Sequence, residues 1–293
     1  MAGQIQAGAP AAVTGANTLA RVEVARNILD LPALPTIVLE LMSSFDDPDV
    51  DIGRLADAIS HDQALTARTL RVANSSFYGL SAKVKTINQA IMMLGFDTVR
   101  TLVAAGAIVN VLPAGTGTQR ELSQFWRHSM ATAVCARNVA RRTRLNPEQA
   151  FLGGLLHDIG RLVLATRFPR QYGAALAWRD EHDAWQVDAE QQVLGMTHQQ
   201  VGLMLAEAWR FPPQLLRAIG FHHAPAVDDL GDLASIVHVA NAIVHALDLG
   251  DADALVPALS GEAWASLRLE GDMLRAIFRE TEAQYEEACL ILH

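Results

Sequence analysis

A small set of histidines and one aspartate carries the chemistry this sequence offers. His157 and Asp158 are adjacent, at the end of the apolar run Phe151-Leu-Gly-Gly-Leu-Leu. An imidazole beside a carboxylate supplies two donor groups for zinc, iron, manganese or a similar ion. Alone, the pair reads equally well as a capped helix end. His128, His198, His222 and His223 change that balance, because each falls at a helix end or on an apolar face. A helical bundle can project such residues inward from several helices. Each also has a plainer reading. His128 lies on the stripe Phe125, His128, Thr132, Cys135 and Val139, which suits a hydrogen-bonded core residue. His198, just inside an N-cap, suits an exposed position, and His222-His223 suit a helix C-terminus. His61, His182, His238, His245 and His293 read as structural or surface residues.

The elements that position these groups are helical throughout. Asn146-Pro147-Glu148 gives the His157 helix an N-cap, a proline at its first position and an acid for its dipole. Gly160 offers the conformational freedom of a helix end, so the helix is expected to stop there. Ala150, Gly153 and His157 recur at helical spacing, and this small-residue face admits a second helix close by. Thr197 with Gln200 predicts a capping box before His198, and Thr86 with Gln89 predicts another before Ile87. Thr36, Asp62 and Asp97 are expected caps, and Pro212-Pro213 opens the helix that reaches His222. Long helices are expected over 119–142 and 233–247, with Asn241 in the second. No alternating run is long enough to require a sheet, so the fold class is all-α.

Composition narrows the classes. The chain has 293 residues, 51% hydrophobic, with a formal net charge of −9. That supports a sizeable core and argues against general nucleic-acid binding, which needs basic surface. Two cysteines, Cys135 and Cys289, make no disulfide framework and suit a reducing, cytoplasmic setting. The longest apolar run, Leu102 to Leu112, is shorter than the ~20 residues a membrane span needs. Residues 1–20 read as a disordered, Ala/Gly-rich tail without the features of a signal peptide. Residues 113–118, rich in Gly and Thr, read as a linker. The expected organisation is a helical subdomain over 21–112, a helical bundle over 119–250 and C-terminal helices over 251–293.

The order of the groups gives a family resemblance. A lone His, then His-Asp, a lone His, His-His and a polar residue in a late helix resembles the HD-domain superfamily of metal-dependent phosphohydrolases. Leu31-Pro-x-Leu-Pro35, Asp47-Pro-Asp49, Ile59-Ser-x-Asp62, Leu70-Arg-x-Ala-Asn74-Ser, Thr86-Ile-x-x-Ala90-Ile-x-x-Leu-Gly95 and Trp209-x-x-Pro212 narrow it. Over residues 25–248 the chain resembles the HDOD family, the HD-related output domain of bacterial signalling. The resemblance implies an HD-like helical bundle preceded by an N-terminal helical subdomain. Carried over from the HD-GYP phosphodiesterases, it implies metal ligands at His128, His157, Asp158, His198, His222 and His223. Asn241 stands where that family has an Asp, leaving a weak, neutral ligand. Arg161 stands beside the site in place of a Lys, and Ala224-Pro225 replaces a Gly-Tyr-Pro segment.

Three functions follow from these readings. The first is a non-catalytic or weakly active regulatory module that binds signalling proteins, with a small ligand as a further partner. The second is a metal-dependent phosphohydrolase acting on a nucleotide or cyclic dinucleotide. The third is a metal- or redox-sensing module. The cofactor expected at this site is a divalent transition metal (iron, manganese or zinc, as one or two ions), which the second and third functions require and the first does not, and the resemblance assigns no catalytic residue.

Overall fold

The computed structural model describes residues 17–47, 49–111, 119–143, 145–226, 231–250 and 255–289. Among these residues every regular element is helical, as expected. The expected linker at 113–118 and nearly all of the expected tail lie outside the described residues, as does His293.

The chain begins with α1 (Arg21–Leu29), α2 (Thr36–Ser43), α3 (Ile52–His61), α4 (Gln63–Ala73), α5 (Ile87–Leu94) and α6 (Phe96–Val111). The Asp51 carboxylate accepts from the Arg54 N–H and starts α3, and Asp62 accepts from Ala64 and Leu65 and starts α4. Two expected caps are corrected. Thr36 is already the first residue of α2. Pro35, extended at ψ 140°, precedes it and makes no side-chain cap bond. Asp97 lies within the first turn of α6, where its carboxylate pairs with Arg100 (3.0 Å) and accepts from Asn146 Nδ2 (3.1 Å). The Thr86–Gln89 box is half formed. Thr86 accepts from Gln89 N–H at 3.1 Å, but Gln89 Oε1 accepts from Lys85 rather than from Thr86.

The bundle follows as α7 (Gln119–Ala140), α8 (Pro147–Leu156), α9 (Ile159–Arg167), α10 (Pro169–His182), α11 (Gln186–Leu194), α12 (His198–Ala208), α13 (Pro213–Phe221) and α14 (Leu233–Ala246). Two more helices, α15 (Gly261–Ser266) and α16 (Gly271–Cys289), close the chain. Asn146 caps α8 through the N–H groups of Glu148 and Gln149, with Pro147 at the first position. Thr197 and Gln200 form the full capping box of α12.

α8 is the buried axis, with Ala150 to Leu156 all inaccessible to solvent. It packs on α7, α14 and α6, so the front helices reach the bundle through it. Gly154 permits the closest of these approaches. A Cβ there would sit 2.7–2.9 Å from the Thr132 and Ala133 backbone of α7. α1 packs on α12 of the bundle, and the Leu19 N–H donates to Leu194 O at 2.9 Å.

Candidate metal centre

The helix carrying His157 and Asp158 does not end at Gly160. α8 ends at Leu156, His157 and Asp158 form a one-turn break, and Gly160 lies inside α9. Gly160 is needed for contact instead. Its α-carbon rests against the His198 carbonyl and the Gly202 N–H of α12, where any Cβ would overlap the backbone. The break therefore aims His157 and Asp158 inward while α9 presses directly on the turn that carries His198.

All six expected ligands converge there. His157 and Asp158 come from the break, His128 from α7, His198 from the first position of α12, and His222 and His223 from the end of α13. Asp158 is the hub. Its Oδ1 lies 3.1 Å from His198 Nε2 and 3.3 Å from His222 Nε2. Its Oδ2 lies 3.6 Å from His157 Nε2 and 4.0 Å from His128 Nε2. Donor atoms of Asp158, His198, His222 and His223 fall within 4.8 Å of one another, as do those of His128, His157 and Asp158. Both groups share the one carboxylate.

The imidazoles are oriented from behind. His157 Nδ1 meets Gly154 O at 2.8 Å, His222 Nδ1 meets Ile219 O at 3.0 Å, and His198 Nδ1 meets Glu190 Oε2 at 2.7 Å. A carbonyl or carboxylate accepts, so Nδ1 carries a proton and each Nε2 points to the centre, with a lone pair to offer when the ring is neutral. There the His198 Nε2 stands 3.4 Å from that of His222 and 3.2 Å from that of His223. Lone pairs so close repel unless a proton or a cation lies between them. His128 is buried with neither ring nitrogen hydrogen-bonded, and His157 Nε2 and Asn241 Oδ1 are buried without a hydrogen-bond partner. Buried polar atoms are rarely left unpaired, so this donor set fits a metal ion.

Electrostatics support the same use. Burial pushes the His157 imidazole down to about 3, and with its histidine neighbours holds His128 and His223 well below the ordinary value. These rings are neutral and free to coordinate. Burial also acts against charge on His198, but the Glu190 and Asp158 carboxylates outweigh it and raise His198 to about 9. Burial opposes ionisation of Asp158 too, yet His157, His198 and Arg161 hold its carboxyl well below the usual range.

Beside the cluster opens a cavity of about 240 Å³, whose lining includes Arg161, Arg179, Trp185, His223, Asn241 and His245. Arg161 is fixed by Asp158 at 2.9 Å and by the Tyr172 hydroxyl at 3.4 Å. A chain of bonds runs from the cavity wall back to the ligands. Arg179 donates to Gln186 Oε1 (3.0 Å), and Gln186 donates to Glu190 Oε1 (3.0 Å). The other Glu190 oxygen takes both the N–H and the Nδ1 of His198 at 2.7 Å.

Several plain readings are corrected. His198 is buried, not exposed, because the capping box turns it inward. His245 is no surface residue: it lines the cavity, with its ring 4.7 Å from that of His128. Its sequence signal was its place one helical turn after Asn241. Glu190 was missed altogether, since nothing in its neighbourhood distinguishes a fully buried glutamate from a solvated one. His238 is structural as read, bonded to His222 O at 2.7 Å and to the Ser260 N–H at 2.9 Å.

Known proteins share this fold. The family model for the HDOD domain matches residues 31–225. A crystal structure from Geobacter sulfurreducens, described as an HDOD domain protein with unknown function, superimposes with a TM-score of 0.77 at 28% identity, covering 92% of this chain and 96% of that one. A Shewanella amazonensis SB2B protein, provisionally named a phosphohydrolase, gives 0.72 at 27% identity, covering 92% and 98%. An uncharacterized Treponema pallidum protein is 26% identical over 229 residues, which is 77% of this chain and 44% of the relative. The chain spans less than half the length of the curated relatives it matches.

Proposed function

The chain belongs to the HDOD domain family, and from that footing we propose a regulatory module, non-catalytic or weakly active, that binds signalling proteins around a retained HD-type metal centre. His128, His157, Asp158, His198, His222 and His223 are the proposed ligands for one or two ions of iron, manganese or zinc. The observation that carries this is the orientation of the rings, three with Nδ1 anchored and Nε2 turned toward one carboxylate. Nitrogen-rich sets with a single carboxylate suit borderline transition metals better than magnesium or calcium. We also propose that the helical front over 21–112 and the bundle over 119–250 act as two parts, with residues 251–293 closing the second.

Weak catalysis follows from charge. Asp158 already serves Arg161 on one oxygen and His198 and His222 near the other. Asn241 beside it is neutral, and Glu190 faces away, toward His198 Nδ1. A bound ion lowers the pKa of water and polarises a phosphoryl group, but two dications need more compensating charge to keep a hydroxide between them. This chain's residues hold and orient ligands, and Arg161 offers its guanidinium at the cavity wall.

The second reading is a phosphohydrolase acting on a nucleotide or cyclic dinucleotide, and the cavity beside the cluster favours it. Natural protein and Asn241→Asp, each loaded with manganese or iron, separate the two on cyclic di-GMP and simple phosphoesters. The regulatory reading expects little turnover by the natural chain and a gain in the variant. Robust natural turnover, lost in His157→Ala, supports the enzyme instead. Metal content after purification without a chelating tag tests the centre itself.

A further inference from the structure

The two donor groups around Asp158 are unequal. Asp158 with His198, His222 and His223 offers four ligands, the number a closed tetrahedral site needs. His128, His157 and Asp158 offer three. The wall opposite that poorer group is α14, which turns Asn241 and His245 into the same cavity. Four residues apart on a helix, the two share one face. His128 stands between two rings, its centroid 5.4 Å from His157 and 4.7 Å from His245. Two imidazoles on one ion bring their rings to comparable separations. Asn241 Oδ1, on the same face, is buried and without a hydrogen-bond partner.

We propose that His245 is a further metal ligand, completing a second site with His128, His157 and Asp158. It rests on the metal reading of the centre given above. His245 stands outside the 4.8 Å cluster, so the assignment requires its ring, 4.7 Å from that of His128, to turn toward the ion when one binds. A shell of three imidazoles and one carboxylate is neutralised by one charge only. It therefore favours zinc, ferrous iron or cobalt over manganese, which prefers oxygen ligands. Asn241 is left as a neutral neighbour that can hydrogen-bond to a ligand of the ion.

Cobalt(II) is the probe, titrated into the full chain against a chromophoric chelator and followed by its visible absorption. The natural protein is expected to take two ions. His245→Gln is expected to weaken one of them by at least about 10-fold, leave the other within about twofold, and reduce the absorption of four-coordinate cobalt. His245→Asp keeps a ligand atom at the position and is expected to restore the second ion while shifting its preference toward manganese. Melting of the metal-free variants controls for folding. Unchanged affinities and spectrum in His245→Gln overturn the assignment of His245 and leave the rest of the centre standing. A natural protein that takes up no cobalt overturns the metal reading and this inference together.

Discussion

Asn74, in the front helices, and Asn241, in the bundle, are one side chain in two opposite states. Asn74 Nδ2 donates to Leu70 O at 2.7 Å and to Val84 O at 2.8 Å, and its Oδ1 accepts from the Val84 N–H at 2.7 Å. It stitches the end of α4 to the approach of α5, with both amide protons and the carbonyl oxygen engaged. Asn241 Oδ1 is buried and receives nothing. The histidines repeat the contrast. His238 uses one nitrogen on His222 O and the other on Ser260, whereas His128 uses neither. Burial alone does not separate scaffold from site. Unspent hydrogen-bonding capacity at a shared point does, because a folded chain rarely strands polar atoms that only hold it together.

The sharpest way to break that contrast is Asp158→Ala. Removing the hub leaves Arg161 and the charged His198 without their buried partner, and should cost about 3–5 kcal/mol in the metal-free protein while abolishing ion binding. Denaturant titration and metal analysis read the two effects. Should the variant still bind ions with natural affinity, the centre lies elsewhere.

Acid is the next lever. His157 is neutral in the folded chain, with a pKa near 3 against an ordinary value of 6.5, so the unfolded chain takes up its proton first. Its contribution is present above about pH 6.5 and is lost as the pH falls toward about 3. His198, raised to about 9, runs the other way: its contribution is complete below about 6.5 and is lost as the pH rises through about 9. Urea midpoints measured with chelator across pH 4–7 should fall on the acid side, and His157→Gln should flatten that slope.

Asn74→Ala should cost about 2 kcal/mol by stranding backbone groups and leave metal affinity untouched. Loss of metal binding in that variant would erase the distinction between the two regions. The smallest effect belongs to Asn241→Leu in the metal-free protein. No bond to Oδ1 is lost, so stability should change by less than about 1 kcal/mol, read from the same melting curves.

Local rules written in adjacent residues were legible in the sequence. Asn146-Pro147 and Thr197-x-x-Gln200 behave as read, because a cap needs only its own first turn. The order of His and Asp along the chain also pointed to the residues that meet. What failed depends on partners far away in sequence. Gly160 carries the ordinary mark of a helix end, yet it is small because α12 lies against it. Asp97 looks like a cap but its carboxylate also reaches Asn146, 49 residues on. Glu190 and His245 acquire their places from the packing of α11 and α14, which no local pattern records.

The ligands reach Asp158 from α7, α12 and the end of α13, so no single hairpin or helix pair contains a complete set. Such a centre has a consequence in time. A collapsed chain with α8 and α9 formed but α12 unseated holds only fragments of it, and long-range closure comes late. An ion then binds the finished bundle and nothing earlier, stabilising it by mass action. Interactions missing from the transition state lengthen the life of the folded form without hastening its formation. Metal would thus act as a latch on a door already shut, visible as slower unfolding at an unaltered refolding rate.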